Sequence, residues 1–210
     1  MIVAWKLKTN YREVIMGKIF CLMGKSSTGK DTIFEALKND RVLNLKPIVP
    51  YTTRPQRTNE LDGEAYYFID IEKLEHYTRE GKVIEQRCYK TINGNWYYAT
   101  IDDGQIDLNN NNYIVIVTLE AYSNLLKYFN MENIIPIYIE VEDGLRLERA
   151  LSREKQQSQP NYDELCRRFL ADNKDFSEER LNINRITKRY QNLNLDQCIK
   201  EIKDRIRTIS

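Results

Sequence analysis

Ile19-Phe20-Cys21-Leu22-Met23 runs without a break into Gly24-Lys25-Ser26-Ser27-Thr28-Gly29-Lys30 and then into Asp31-Thr32-Ile33-Phe34. The apolar run predicts a strand over Lys18 to Met23, and the residues that follow the second glycine predict a helix over Asp31 to Lys38. A loop with this Gly-x4-Gly-Lys spacing, placed after a strand and at the opening of a helix, is the context of a phosphate cradle. Its glycines permit torsions that turn successive N–H groups toward one anion, the helix N-terminus adds positive potential, and Lys30 reaches terminal phosphates. Asp31 follows Lys30 where Ser or Thr usually serves magnesium, with Thr32 next. Thr32, or Asp31 through water, is therefore the expected contact to a hydrated Mg2+.

Outward from this stretch, strand-like and helix-like segments alternate: Tyr113 to Thr118 then Glu120 to Phe129, and Ile134 to Val141 then Asp143 to Arg153. That alternation predicts an α/β fold with a parallel sheet flanked by helices. Residues 52–100 break the pattern with short strand candidates (Ala65 to Ile69, Lys82 to Tyr89, Trp96 to Thr100), a helix over Ile71 to Gly81 and a turn at Asn93-Gly94, and they read as an inserted α+β subdomain. Beyond Ser152 a polar run ends at Pro160 and leads to a helix over Asp163 to Phe176, so a mobile lid is expected at about residues 152–165. The core is expected over 16–51 and 101–210, closing with an amphipathic helix over Leu195 to Ile206. Residues 1–15 lack a signal-peptide pattern and precede Met16-Gly17-Lys18, which predicts translation from Met16 and a dispensable extension.

The 210 residues carry 32 Lys plus Arg against 31 Asp plus Glu. A net charge of +1 gives no global signature for nucleic acid or an anionic membrane, so phosphate chemistry must come from local placement. No apolar run approaches the about eighteen residues that a spanning helix requires, and a cytoplasmic protein is expected. Cys21, Cys88, Cys166 and Cys198 form no CxxC pair and His76 is the one histidine, so each cysteine reads as a small, mostly buried residue and no structural metal is expected.

A second motif follows the first: Thr52-Thr53-Arg54-Pro55-Gln56-Arg57, then Asn59-Glu60-Leu61-Asp62-Gly63-Glu64-Ala65-Tyr66-Tyr67-Phe68. It resembles the signature of guanylate kinases, in which T-T-R-x-x-R precedes G-E-x-x-G-x-x-Y-x-F. The resemblance extends to Glu85, to Tyr98-Ala99-Thr100, and to the arginines at 149, 153 and 168. It implies transfer of the ATP γ-phosphate to GMP or dGMP with Mg2+, with ATP on Gly24 to Thr32 and GMP on Thr52, Arg54, Arg57, Tyr66, Glu85, Tyr98 and Thr100. Lys30, Arg54, Arg149 and Arg168 are then the catalytic cations and Arg153 a lid residue. Glu85 would accept from guanine N1–H and the exocyclic amine, whereas adenine offers an acceptor at N1.

Two positions depart from the pattern. Pro50 stands where the family has a serine and cannot donate to guanine O6, so that contact falls to Thr100, a backbone N–H or water. Thr118-Leu119-Glu120 replaces an acidic D-x-D, leaving Glu120 to bring charge near magnesium. Two other readings follow from the same motifs: a non-catalytic interaction module, and a sister kinase acting on a substrate such as ribose bisphosphate. The expected partners are free nucleotides, neither nucleic acid nor membrane, with the chain a monomer or homodimer.

Overall fold

The computed structural model describes residues 16–57, 60–91 and 94–209. The extension at 1–15, Asn59 of the second motif and Asn93 of the expected turn lie outside the described residues. In chain order the elements are β1 (Ile19–Met23), α1 (Lys30–Lys38), β2 (Lys46–Pro47), β3 (Tyr51–Thr52), β4 (Tyr67–Phe68), α2 (Ile71–Arg79), β5 (Val83–Thr91), β6 (Gly94–Ile101), β7 (Tyr113–Ile116) and α3 (Leu119–Tyr128). After a short 3-10 turn come β8 (Ile134–Glu140), α4 (Asp143–Glu154), α5 (Tyr162–Asp175), α6 (Glu178–Ile183), β9 (Arg189–Gln191) and α7 (Leu195–Ile209).

Five strands form a wholly parallel sheet in the order β2-β7-β1-β8-β9. β1 is buried at every residue, as a central strand covered on both faces must be. Its alternation divides the core. Ile19, Cys21 and Met23 face α3 through Ala121, Tyr122 and Leu125. Phe20 and Leu22 face α1 and α7 through Ile33, Leu37, Ile202 and Ile206. Both helices carry their apolar residues at helical spacing, and each lays that stripe on the sheet.

The second sheet, β4-β3-β6-β5, is built around the antiparallel β5–β6 pair and holds its own small core of Tyr51, Leu74, Ala99 and Ile101. Three features differ from the sequence expectation. The strand over Ala65 to Ile69 shrinks to Tyr67–Phe68, which pairs in parallel with the unforeseen β3. β9 was also unforeseen, because three residues are too few to show a period. The helix before the expected lid continues to Glu154 and the next starts at Tyr162, so only residues 155–161 connect them. Asn161 caps that second helix by accepting the Glu164 N–H at 3.0 Å.

Cys21 and Cys198 are buried as expected, and burial pushes the Cys198 thiol up to about 11. Cys88 and Cys166 are exposed instead: they stand on the outward sides of β5 and α5, which face water. Leu37→Ala is expected to lower stability by about 2–5 kcal/mol, because its fully buried side chain joins α1 to the sheet and α7. Urea unfolding checks this, and an unchanged midpoint would refute the packing.

Candidate active site

At the C-terminal end of β1 the chain enters the loop 24–29, whose course depends on close backbone contact. A Cβ on Gly24 would lie 2.7 Å from the Ile139 carbonyl of β8. Gly29 has φ +83°, and a Cβ there would meet Asn192 Nδ2 at 2.5 Å. Only glycine meets both demands without displacing a neighbour. Asn192, buried just beyond β9, donates to the Thr28 carbonyl at 2.8 Å and ties the loop to the sheet. Thr28 is also buried, and its hydroxyl donates to the Lys25 carbonyl at 2.9 Å, so it closes the loop from within. Lys30 opens α1, its ammonium 3.7 Å from the Asp31 carboxylate.

Helices α4 and α5 lean over this loop, and a cavity of about 330 Å³ lies between them, bordered by Ser26, Ser27, Lys30, Asp31, Arg153 and Arg168. Arg153 donates to the Ser27 hydroxyl at 2.6 Å, and Arg168 to the Ser26 hydroxyl at 3.4 Å. Arg149 is not brought here. Its guanidinium donates to the Asn192 carbonyl at 3.1 Å, on another side of α4 from the cavity.

Arg146, which the sequence pattern places on a solvated face, is 1% exposed and organises the whole corner. It donates to Asp143 at 2.7 Å, to the Ser26 carbonyl at 3.1 Å and to Asn173 at 3.0 Å, and stacks over the Phe169 ring at 4.7 Å. Lys25 joins the same Asp143 and Asn173 at 3.3 and 2.8 Å. Asp172 accepts the Ser26 N–H at 2.6 Å, so one donor of the loop rests on a carboxylate of α5. The one trace of this network in the sequence is the Asp143/Arg146 spacing of an i, i+3 helix pair.

The second sheet gathers another set of polar groups. Arg54 is 4% exposed, grips both Glu60 oxygens at 2.8 Å, donates to the Pro55 carbonyl at 2.9 Å, and lies over the Tyr66 and Phe68 rings at 5.6 and 5.3 Å. Tyr98 meets the Tyr66 ring edge-on at 5.5 Å, beside the same guanidinium. Arg57 is exposed beside them, its backbone N–H donating to Glu60 at 2.9 Å. The hydrogen bonds from Arg54 and then from the Arg57 N–H hold the Glu60 carboxyl down at about 2. Thr52 is buried, and its hydroxyl donates to the Tyr97 carbonyl at 2.9 Å. Pairing of Glu85 with Thr100 and of Arg87 with Tyr98 puts these four side chains on one face of the hairpin. Thr100 donates to Glu85 Oε1 at 2.9 Å, and Arg87 Nε donates to Glu85 Oε2 at 3.1 Å. Glu60 stands in the second motif, at the glutamate of the G-E pair, but was given no role there, and Arg87 escaped the sequence reading. Arg87 is discoverable only as the residue two beyond Glu85 on one strand face.

A second hollow, about 720 Å³, separates α1 from this sheet and is bordered by Asp31, Phe34, Pro50 and Tyr66. Asp31 borders both hollows, so they meet at the first turn of α1. Thr32 and Glu120 are exposed and border neither. No group of three or more His, Cys, Asp or Glu side chains able to hold a metal exists among the described residues. A magnesium ion here would fit only as part of a nucleotide complex, its oxygens coming mainly from phosphates and water with Asp31 nearby. No helix among the described residues is long and apolar enough to cross a membrane.

Residues 16–208 match the family model for guanylate kinase. The chain is 28% identical over 194 residues to the guanylate kinase of Mycoplasma mobile, covering 90% of this chain and 91% of that one. It is 31% identical over 112 residues to the guanylate kinase of a Nostoc species, covering 53% of this chain and 54% of that one. Its fold is similar to the crystal structure of guanylate kinase from Anaplasma phagocytophilum, with a TM-score of 0.63 and 17% identity over 92% of this chain and 86% of that one.

The Arg54–Glu60 pair carries a pH prediction. A carboxyl held below its ordinary value of 4.5 stabilises the fold above that pH and loses the contribution as pH falls through about 2. NMR titration of the Glu60 carboxyl is expected to give a midpoint near 2; a midpoint at the ordinary value would mean that the bidentate contact is absent in solution.

Proposed function

The chain belongs to the guanylate kinase family, and we propose that it transfers the γ-phosphoryl group of ATP to GMP, or dGMP, giving ADP and the guanine nucleoside diphosphate. The observation that supports this reading is the sharing of Asp31 between the two hollows, one roofed by Arg153 and Arg168 and the other bordered by Tyr66, whose ring lies against the Arg54 guanidinium at 5.6 Å. Two phosphate-bearing molecules placed in them would meet end to end, which in-line displacement requires.

ATP binds with its polyphosphate on the N–H groups of Gly24 to Lys30, and Lys30 neutralises the terminal phosphates. To admit it, Asp172 yields the Ser26 N–H, since two anions cannot share one donor. GMP sets its phosphate among Arg54, Arg57, Tyr66 and Tyr98 and its base against Glu85 and Thr100. Thr52 serves this site by shaping the turn, its own hydroxyl being committed to Tyr97. An oxygen of the GMP phosphate attacks the γ-phosphorus, the bond to the ADP oxygen breaks, and no general base is needed because the nucleophile is already ionised. Arg153 and Arg168 supply the cations that approach the transferring group once residues 152–165 close over it. Arg149 acts at one remove, holding the Asn192 carbonyl while the Asn192 amide holds the loop. Asp31 would hold, through water, the magnesium ion that accompanies ATP, and that ion would offset phosphate charge. The protein acts in the cytoplasm on free nucleotides, as a monomer or homodimer.

Lys30→Ala is expected to lower kcat by about 10²–10³-fold while leaving GMP affinity nearly intact, because the ammonium serves the donor phosphates. ADP release with ATP, magnesium and each of GMP, dGMP, AMP, CMP, UMP and ribose bisphosphate checks the substrate. Turnover confined to guanine nucleotides supports the reading. Turnover of the bisphosphate would replace it with a sister kinase, and turnover of none with a binding module.

A further inference from the structure

We propose that Arg87 is a specificity-determining residue of the acceptor site, donating a hydrogen bond to the 6-oxo group of the guanine base. The proposal rests on the guanine-nucleotide reading above and adds the group that recognises this atom.

The 6-oxo, N1–H and 2-amino edge presents one acceptor beside two donors, so its complement is one donor beside two acceptors. Glu85 supplies the acceptors. It is 4% exposed, each of its oxygens is engaged by a single protein donor, and a carboxylate has about four lone-pair positions, so one remains on each oxygen. The donor is harder to find. Pro50 borders the hollow and has none. Thr100 has one hydroxyl proton and donates it to Glu85, so it has none left for the base. Arg87 has N–H groups to spare. Of the five a guanidinium carries, Nε serves Glu85 and one Nη1 proton makes a long 3.5 Å contact to the Thr118 hydroxyl. The head is partly open, with 23% of the side chain exposed. The Arg87–Glu85 ion pair therefore places spare donors beside the acceptor pair. Adenine would set its 6-amino group against the guanidinium and its N1 lone pair against the carboxylate, two repulsions in place of two bonds. Thr118, whose hydroxyl accepts from Arg87 and from the Ala121 N–H, retains a proton of its own and is the competing donor.

The test compares GMP, IMP and 6-thio-GMP as substrates of the full chain and of Arg87→Met. IMP keeps the oxygen and lacks the amine; 6-thio-GMP keeps N1–H and the amine but presents a weakly accepting sulfur. The expected result is a loss of about 10–100-fold in kcat/KM for GMP and for IMP, expressed mainly in KM, with a much smaller loss for 6-thio-GMP. Thr118→Val should leave all three nearly unchanged. Equal losses for GMP and 6-thio-GMP would overturn the proposal and reduce Arg87 to a support for Glu85. No loss for GMP, or a selective loss in Thr118→Val, would also overturn it. If Arg87→Met does not fold because Glu85 is left buried without its cation, nitrogen NMR of the guanidinium in the unaltered chain carries the test: the Arg87 Nη resonances are expected to shift on binding GMP and much less on binding 6-thio-GMP, and equal shifts would overturn the proposal. Wild-type protein that phosphorylates no guanine nucleotide would instead sink the underlying reading, a failure visible before any variant is made.

Discussion

A loop that turns its N–H groups toward an empty centre is unstable by itself, because buried donors must be paired and parallel peptide dipoles repel. Residues 24–29 are held in that shape by their neighbours. Ile139 presses on Gly24, Asn192 fills the space that a side chain at 29 would need and grips the Thr28 carbonyl, and Thr28 closes on Lys25. The central strand, its parallel partner β8 and the segment after β9 thus converge on one small region. The unforeseen β9 matters for this reason: its pairing with β8 delivers Asn192 to the loop.

The same logic governs the cations. A site that handles two highly charged phosphates needs several guanidinium groups close together, and without anions these repel one another. The buried Arg54 and Arg146 and the half-buried Arg87 are paired instead. Arg54 holds Glu60, Arg146 holds Asp143, and Arg87 holds Glu85. The pairs are not equivalent. Arg146 spends its hydrogen bonds on carboxylate, amide and backbone of neighbouring elements and fixes architecture. Arg54 is gripped from one side by Glu60 and flanked by aromatic faces, which orients its fork and excludes water from it. Arg87 pairs through Nε and keeps the outer nitrogens available.

The parallel sheet, the phosphate loop and the helix stripes were legible because their signals are local: continuous apolar runs for buried strands, 3.6-residue spacing for α1 and α7, and glycine punctuation between. The acceptor motif was legible as an ordered string of residue types. What escaped reading depends on tertiary contact. Arg146 lies in the same charged helix face as Arg149 and Arg153, and nothing in a pattern of alternating signs shows that this one meets Ser26 and Phe169 while Arg149 turns to Asn192. The two-residue strands β2, β3 and β4 are too short to carry a period and exist because neighbouring strands supply their partners. Cys88 and Cys166 show the converse, since a residue type that usually sits inside is placed outside by the register of its strand or helix.

Burial along the α4–α5 pair is graded, and the gradient bears on how a closing segment is built. At its root Arg146 is sealed against the phosphate loop, and Phe176 at the end of α5 packs on Tyr138 with ring centroids 5.6 Å apart. Between those anchors α5 buries no residue at all. Its contacts with the loop are polar and few: Asp172 to the Ser26 N–H, Arg168 to the Ser26 hydroxyl and Asn173 to the Lys25 ammonium. A helix held this way opens at small cost in apolar burial, because the bonds lost to the loop are replaced by water. In the proposed reaction an incoming polyphosphate would change the balance, displacing the Asp172 carboxylate from the Ser26 N–H while attracting Arg153 and Arg168 toward the same centre. One anion therefore repels one member of α5 and attracts another, four residues apart on the same helix. A shift of the helix about its root would satisfy both.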